Sequence, residues 1–384
     1  MARAYLDHAS TSPLRPEAAD AMAAWAATGV TADPGRLHTE GQQARVALEG
    51  AREEVAALAG SRSRQVVFTS GATEAINTAI WGTLQRTGAA AGPVAFADVE
   101  HSAVREASAR LAPQVRITVD GSGRILPDAV DEALDRSVAD HGVLPALVHC
   151  QLANHEVGTV QPVAEVVERC RRRGVPVHVD AAMAPGRLHA DLAGLGAALV
   201  SLSSHKMGGP PGIGALILAR TTRIAPLLVG GDAERGRRAG MENVPAAVGF
   251  GAVARVLADP VRLAGELEGL AAIDRVVLAG ALAVDGVRLL GHPTERLAGI
   301  ACLAVDGVEA EPVLLGLDRR GVAVHSGSAC SSEALEPSPV LEAMGVDARH
   351  SLRVSAGWST TADDAATFAA ALAQVVAELR ALRG

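Results

Sequence analysis

The chain has 384 residues, 49% of them hydrophobic and 20% charged, with a formal net charge of −8. That length suits two domains with ample core, and that composition belongs to a folded globular chain. The acidic balance argues against nucleic acid as the main partner, and no apolar run reaches the roughly 18 residues of a membrane span.

Along the chain, the opening Met1-Ala-Arg-Ala-Tyr-Leu-Asp7 lacks the apolar core of a secretion signal. Then helix-like stretches and short apolar runs alternate: Arg45–Ala59 as helix, Gln65–Thr69, Pro93–Ala97 and Ala146–His149 as strands. Val163–Arg173 reads as helix, and Val175–Asp180, Ala198–Leu202 and Ala215–Leu218 as strands. Such alternation predicts an α/β fold, a mostly parallel, doubly wound sheet covered on both faces. A long Ala/Leu/Glu stretch, Pro245–Ile273, leads out of this domain. A smaller α+β domain follows, with strands at Val287–Leu290 and Ile300–Val305 and a last helix at Ala362–Leu382. The expected division is a large domain over 15–258, and a small one built from 1–14 and 259–384.

Three motifs fall at predicted strand ends, where open α/β sheets bind ligands. In Phe68-Thr-Ser-Gly-Ala-Thr-Glu-Ala-Ile-Asn77 a strand turns into a helix, and the exposed N–H groups there can hold an anion. In Val177-His-Val-Asp-Ala181 an aspartate ends a buried strand and needs a partner, for which a protonated pyridine nitrogen would serve. The third motif is Ser201-Leu-Ser-Ser-His-Lys206, followed by a Gly/Pro-rich loop that does not have Walker A spacing. Of the 35 Lys and Arg residues only Lys206 is a lysine, the one side chain with a primary amine able to form a Schiff base. An anion turn, an aspartate and a lysine in this order point to pyridoxal 5′-phosphate (PLP).

With these motifs the sequence resembles the cysteine desulfurases, the NifS/IscS-like branch of the class V aminotransferases in PLP fold type I. The resemblance spans nearly the whole chain, from Tyr5-Leu-Asp-His-Ala-Ser-Thr-Ser-Pro13 through Glu100-His101, Asn154-His-Glu-Val-Gly158 and Glu234-Arg-Gly-Arg-Arg-Ala-Gly240. It closes on His325-Ser-Gly-Ser-Ala-Cys-Ser-Ser332 and Ser351-Leu-Arg-Val-Ser355. It implies a seven-stranded-type sheet in the large domain and these roles: Lys206 carries PLP as a Schiff base, while Ala72, Thr73, Ser203 and His205 hold its phosphate. Asp180 pairs with the pyridine nitrogen, and His101 stacks on the ring and handles protons. Arg353 receives the substrate carboxylate, and Cys330 accepts the sulfur.

A cysteine in Ser-Gly-Ser-Ala-Cys330-Ser-Ser suits a mobile exposed loop better than a core, whereas Cys150, Cys170 and Cys302 stand in apolar or helical contexts and read as structural. The resemblance further implies L-cysteine as substrate, a sulfur-acceptor protein as partner and a homodimer. No resident metal is implied; Cys330 could serve as a transient iron–sulfur ligand. With no secretion signal and no disulfide pattern, the expected location is cytoplasmic.

Four positions depart from the family pattern. His155 stands where Asn is usual against cofactor or substrate, and imidazole can still donate there. Met183 stands for a Gln that donates to the PLP ring oxygen, Met241 for a Thr that reaches the neighbouring subunit's phosphate, and Asp232 interrupts a Gly run. Each lost neutral hydrogen bond costs on the order of 1 kcal/mol, which affects PLP retention or rate rather than reaction type. Rival readings are a selenocysteine lyase, another class V enzyme such as an aminotransferase, and a degenerate PLP-fold scaffold.

Overall fold

In a computed structural model of the chain, residues 3–87, 92–326 and 338–382 are described. After a two-residue strand β1 (Ala4–Tyr5), Pro16 opens α1 (Pro16–Ala27), where its fixed φ and missing N–H do no harm. α2 (Thr39–Leu58) buries a stripe from Ala44 to Val55. The fully buried β2 (Val66–Thr69) runs through a Ser-Gly turn into α3 (Ala72–Thr87). Alternation continues with β3 (Val94–Ala97), α4 (Ser102–Leu111), β4 (Gln114–Ile117) and α5 (Pro127–His141). Next come β5 (Leu147–Gln151), α6 (Val163–Arg172), β6 (Val177–Asp180), β7 (Leu199–Ser203) and β8 (Gly214–Leu218).

These strands form a seven-stranded sheet in the order β2-β8-β7-β6-β5-β3-β4. β8 is antiparallel to both neighbours and the remaining pairs are parallel. The loop from Ser203 to Gly214 holds no crossover helix, so the chain can only turn back on itself there. One face of the sheet packs a core with α2, α5 and α6, and the other packs Ile76, Ile80 and Val104 from α3 and α4.

A single turn, α7 (Ala233–Gly236), carries Glu234 and Arg235 in left-handed backbone. The apolar stretch read as one unit is two helices, α8 (Val244–Ala258) and α9 (Pro260–Leu282), bent by 82°. Asp259 causes the break: a residue before proline is driven out of helical φ/ψ, and its carboxylate then caps α9 through the Val261 and Arg262 N–H groups. α8 is apolar because it lies buried among α1 and α2. Among the described residues no single helix is long and apolar enough to cross a membrane.

The rest comprises β9 (Val287–Leu290), β10 (Ile300–Val305), α10 (Ala310–Arg319), β11 (Val322–Ala323) and β12 (His325–Ser326). It ends with α11 (Pro339–Ala343), β13 (Ser351–Ser355) and α12 (Ala362–Ala381), the last opened by a Thr361/Asp364 capping box. A second, antiparallel sheet has the order β12-β13-β10-β9, and β1 pairs parallel with β11. Leu6 joins Leu303, Phe368 and Leu372 in a core of their own under this sheet.

Candidate active site

The carboxyl ends of β5, β6 and β7 and the turn after β2 open into one cavity of about 350 Å³. Its wall combines Ala72 and Thr73 of the turn, Asp180 at the end of β6, and Ser203, His205 and Lys206 after β7. His101 and His155 complete it, with Met183 alongside. Eight of the sequence-derived site residues therefore meet in one place.

The turn before α3 is shaped for an anion. A Cβ on Gly214 would lie 2.5 Å from the Leu202 carbonyl oxygen and 2.7 Å from Gly71, so only glycine lets β8 press against this turn. Glu74, in the first helical turn, would repel an anion if left alone. Instead it accepts the Ser70 N–H at 2.7 Å and pairs with Arg238 at 2.9 Å. Burial raises its carboxyl, but the Arg238 and Ser70 hydrogen bonds outweigh that and hold it below the usual range. The positive end of α3 thus stays available to a ligand.

Asp180 accepts the Ala182 N–H at 2.9 Å and the Ser201 hydroxyl at 3.3 Å, while none of the described cations pairs with it. A 3-10 turn carries Lys206. Its Nζ donates to the carbonyl oxygens of Ala9 and, at 2.9 Å, of Ser10. The amino-terminal segment clamps this turn: Ser12 N–H donates to His205 O, Ser12 Oγ to Lys206 O, and Arg15 Nε to Met207 O. Burial, then the Lys206 charge, lowers His205 to about 4, so it stays neutral beside Thr11 Oγ1 at 3.1 Å.

His101 caps α4, its Nδ1 accepting the Ala103 N–H at 3.1 Å. Its ring meets that of His155 edge to face, centroids 5.0 Å apart. Glu100 lies fully buried behind them; it accepts the Gln151 N–H at 2.6 Å, and burial pushes its carboxyl up to about 8.

Residues 4–368 match the model of the aminotransferase class-V family. The chain belongs to that family, and within it to the cysteine desulfurases. A cysteine desulfurase of Cereibacter sphaeroides is 38% identical over 396 residues, covering 100% of this chain and 98% of its own. An IscS-like cysteine desulfurase of Mycobacterium tuberculosis is 38% identical, over 94% of this chain and 93% of its own. Among solved structures, a NifS-like protein matches with a TM-score of 0.87 at 25% identity, over 98% of this chain and 100% of that one. SspA, solved in complex with cysteine, matches with a TM-score of 0.79 at 27% identity, over 92% and 98% of the two chains.

One residue expected in this desulfurase site does not line the described cavity. Arg353, on β13, is 1% exposed. It donates to Asp7 at 2.9 Å, to Ser10 Oγ at 2.7 Å and to the His155 carbonyl at 3.1 Å, while its Nε finds no partner among the described residues. Ser10 thus touches both Arg353 and Lys206, through its hydroxyl and its carbonyl. Cys330 lies outside the described residues. The other three cysteines are buried, and burial pushes Cys170 and Cys302 up to about 12 and Cys150 well above its ordinary value. Met241 is 65% exposed and away from the cavity. Among the described residues no group of three His, Cys, Asp or Glu could hold a metal.

Sequence reading singled out neither Asp7, Ser10 nor Glu156. All three sit inside quoted motifs, but their partners lie far away in sequence, 346 residues for Asp7 and Arg353. No local pattern carries that pairing.

Proposed function

We propose that the protein is a PLP-dependent cysteine desulfurase that converts L-cysteine to L-alanine and takes the sulfur onto Cys330 as a persulfide, for delivery to a sulfur-acceptor protein. The observation that carries this reading is that the chain's one lysine shares a cavity with Asp180 and the anion turn of α3. PLP needs an amine, a phosphate cradle and an acceptor for its ring nitrogen, and the donor set fits each. Ala72, Thr73, Ser203 and His205 would hold the phosphate, Lys206 the aldehyde carbon and Asp180 the protonated ring nitrogen. When bound, PLP supplies an electron sink next to the substrate's Cα, which weakens the Cβ–Sγ bond.

The chain's own groups do the rest. His101 would lie against the ring, with its remaining proton on Nε2 because Nδ1 is engaged by the Ala103 N–H. Arg353 would receive the substrate carboxylate, to which a guanidinium presents two parallel N–H groups. Asp7 now occupies part of that fork, so an incoming carboxylate would share or displace it. The Lys206 amine, free once substrate has arrived, would move the Cα proton. Cys330 would attack the substrate sulfur as a thiolate, forming an S–S bond as the C–S bond breaks. Buried, high-pKa thiols such as Cys170 and Cys302 stay protonated at neutral pH and cannot do so. The cysteine bound to the related SspA supports the choice of substrate.

Purified protein loaded with PLP and given L-cysteine should yield alanine, with sulfide appearing in step when a reductant is added. Cys330→Ala should keep PLP, seen by its visible absorbance, and lose alanine formation. No alanine from the wild type, or full activity in Cys330→Ala, would overturn the reading. Selenocysteine assayed alongside separates a desulfurase from a lyase specific for selenium.

A further inference from the structure

Among the described residues, four arginines with side chains at most 6% exposed pair with a carboxylate. In three of them both carboxylate oxygens are engaged. Arg15 grips Glu266 at 2.7 and 2.6 Å, Arg52 grips Glu234 at 2.6 and 2.7 Å, and Arg296 grips Asp274 at 2.9 and 2.7 Å. Arg353 is the exception. Its Nη2 donates to Oδ1 of Asp7 at 2.9 Å and to Ser10 Oγ at 2.7 Å, while its buried Nε has no partner among the described residues. The Ser10 hydroxyl donates to that same Oδ1 at 2.9 Å. A carboxylate seated on the Nε–Nη2 edge would make the two parallel bonds that Asp7 does not make.

A guanidinium this buried needs a counter-charge whenever the site is empty. Arg187 adds to the need: burial, then the Arg353 and Arg15 charges, lowers it to about 10. Glu266 answers Arg15, whereas Arg187 meets the Ala356 carbonyl at 2.7 Å and no described carboxylate. Asp7 supplies the missing charge from a side chain that is able to leave. Its backbone is pinned, with its carbonyl accepting the Ser10 N–H at 3.1 Å and the His8 N–H donating to Ser355 O at 3.1 Å. Its side chain is 17% exposed, so rotation about χ1 is enough to carry the carboxylate towards water. Arg353 itself sits one residue behind the cavity. His155, whose carbonyl it meets at 3.1 Å, lines the wall, and Ser10 also accepts from Lys206 through its carbonyl.

We propose that Asp7 is an internal carboxylate that holds Arg353 while the site is empty, gives way to the carboxylate of an amino-acid substrate, and returns to displace the product. The proposal rests on the desulfurase reading above, which gives Arg353 the substrate carboxylate. No covalent bond changes in this step; one ion pair is exchanged for another. A neutral Arg353–Asp7 pair attracts a carboxylate less than a bare guanidinium would. Asp7 therefore loosens substrate binding, and it loosens alanine, which carries the same carboxylate, to the same extent.

The test begins without cofactor. Asp7→Ala leaves a gap of acetate's size beside a buried guanidinium, so this variant should unfold at lower urea than the wild type. Sodium acetate should restore much of that loss where sodium chloride at equal ionic strength does not. A variant that folds only in acetate supports the proposal equally. In PLP-loaded enzyme, Asp7→Asn keeps the shape and removes the charge. KM for L-cysteine and the inhibition constant of L-alanine should then each fall about tenfold, with kcat no higher than in the wild type. A merely structural role would lower kcat and leave both constants unchanged or raised. That result in a folded Asp7→Asn overturns the proposal, as does acetate acting no better than chloride on Asp7→Ala. A wild type that makes no alanine sinks the desulfurase reading instead, and the acetate rescue then decides this proposal alone.

Discussion

The carboxylate of Glu234 is gripped by both terminal nitrogens of Arg52, at 2.6 and 2.7 Å, and accepts the Phe68 N–H at 3.0 Å. Both side chains are at most 3% exposed, and the Arg52 guanidinium also lies 4.7 Å over the Phe68 ring. The Glu234 backbone is left-handed, φ 52° and ψ 33°, a conformation that costs a non-glycine residue roughly 1–2 kcal/mol. It persists because turning Glu234 back would strip both terminal nitrogens of the buried Arg52 guanidinium of their carboxylate, leaving only Glu49 at Nε. Removing one partner of such a pair typically costs about 3–5 kcal/mol. Glu234→Gln should therefore lower the unfolding free energy from urea titration by that amount; a change below about 0.5 kcal/mol would show that the pair is not what holds the turn. Phe68 leads directly into the α3 turn, so PLP affinity should weaken in the same variant.

At the scale of elements, the α3 turn depends on the strand beneath it. β8 begins at Gly214, where an added methyl group would meet Leu202 and Gly71 backbone atoms well inside contact distance. Gly214→Ala should push the turn off the sheet edge and weaken PLP binding at least about tenfold, roughly 1.4 kcal/mol, with little change in helix content by circular dichroism. Unaltered PLP affinity would mean that the turn absorbs the methyl group. The strand itself was legible as the apolar run Ala215–Leu218, and so were β9 and β10 at their observed bounds. Continuous Val/Ile/Leu runs announce strands buried on both faces, which is why the central sheet could be read. Its antiparallel member was not singled out, because strand direction follows from the missing crossover helix and not from the run itself. β4, with alternating exposure over four residues, is too short to stand out, and Ser351–Ser355 drew notice as a motif rather than as a strand. The site was legible where residues cluster in sequence, as at Ser203, His205 and Lys206. It was illegible where a partner arrives from another element, as with Ser338 on Glu156 or Asp7 on Arg353.

For the whole molecule, the buried ionisable groups set how stability varies with pH. His149 and His178 lie opposite each other in β5 and β6, fully buried, with their Nδ1 atoms 2.8 Å apart. One ring must donate and the other accept, so protonating the accepting ring would set two donors face to face. Burial holds His178 down to about 4 and His149 well below its ordinary value. Burial, then the nearby Arg187 and Arg15 charges, lowers His8 to about 3. These three stay neutral in the fold while the unfolded chain protonates them below about pH 6.5, so the stability they contribute is lost as pH falls through that value. Glu100 acts in the opposite sense: it keeps its proton in the fold up to about pH 8 and loses it in the unfolded chain above about 4.5. With His205, held at about 4, counted beside the three histidines, unfolding between pH 6 and 5 should take up a net of about two to three protons, a loss of roughly 3–4 kcal/mol per pH unit. Urea midpoints of the cofactor-free protein across this range measure that slope. Glu100→Gln removes the opposing contribution, so at pH 7 it should stabilise the protein by about 3 kcal/mol and steepen the fall below pH 6. A variant no more stable than the wild type at pH 7 would mean that Glu100 is ionised in the fold, with Oε2 satisfied by a group or water beyond the described residues.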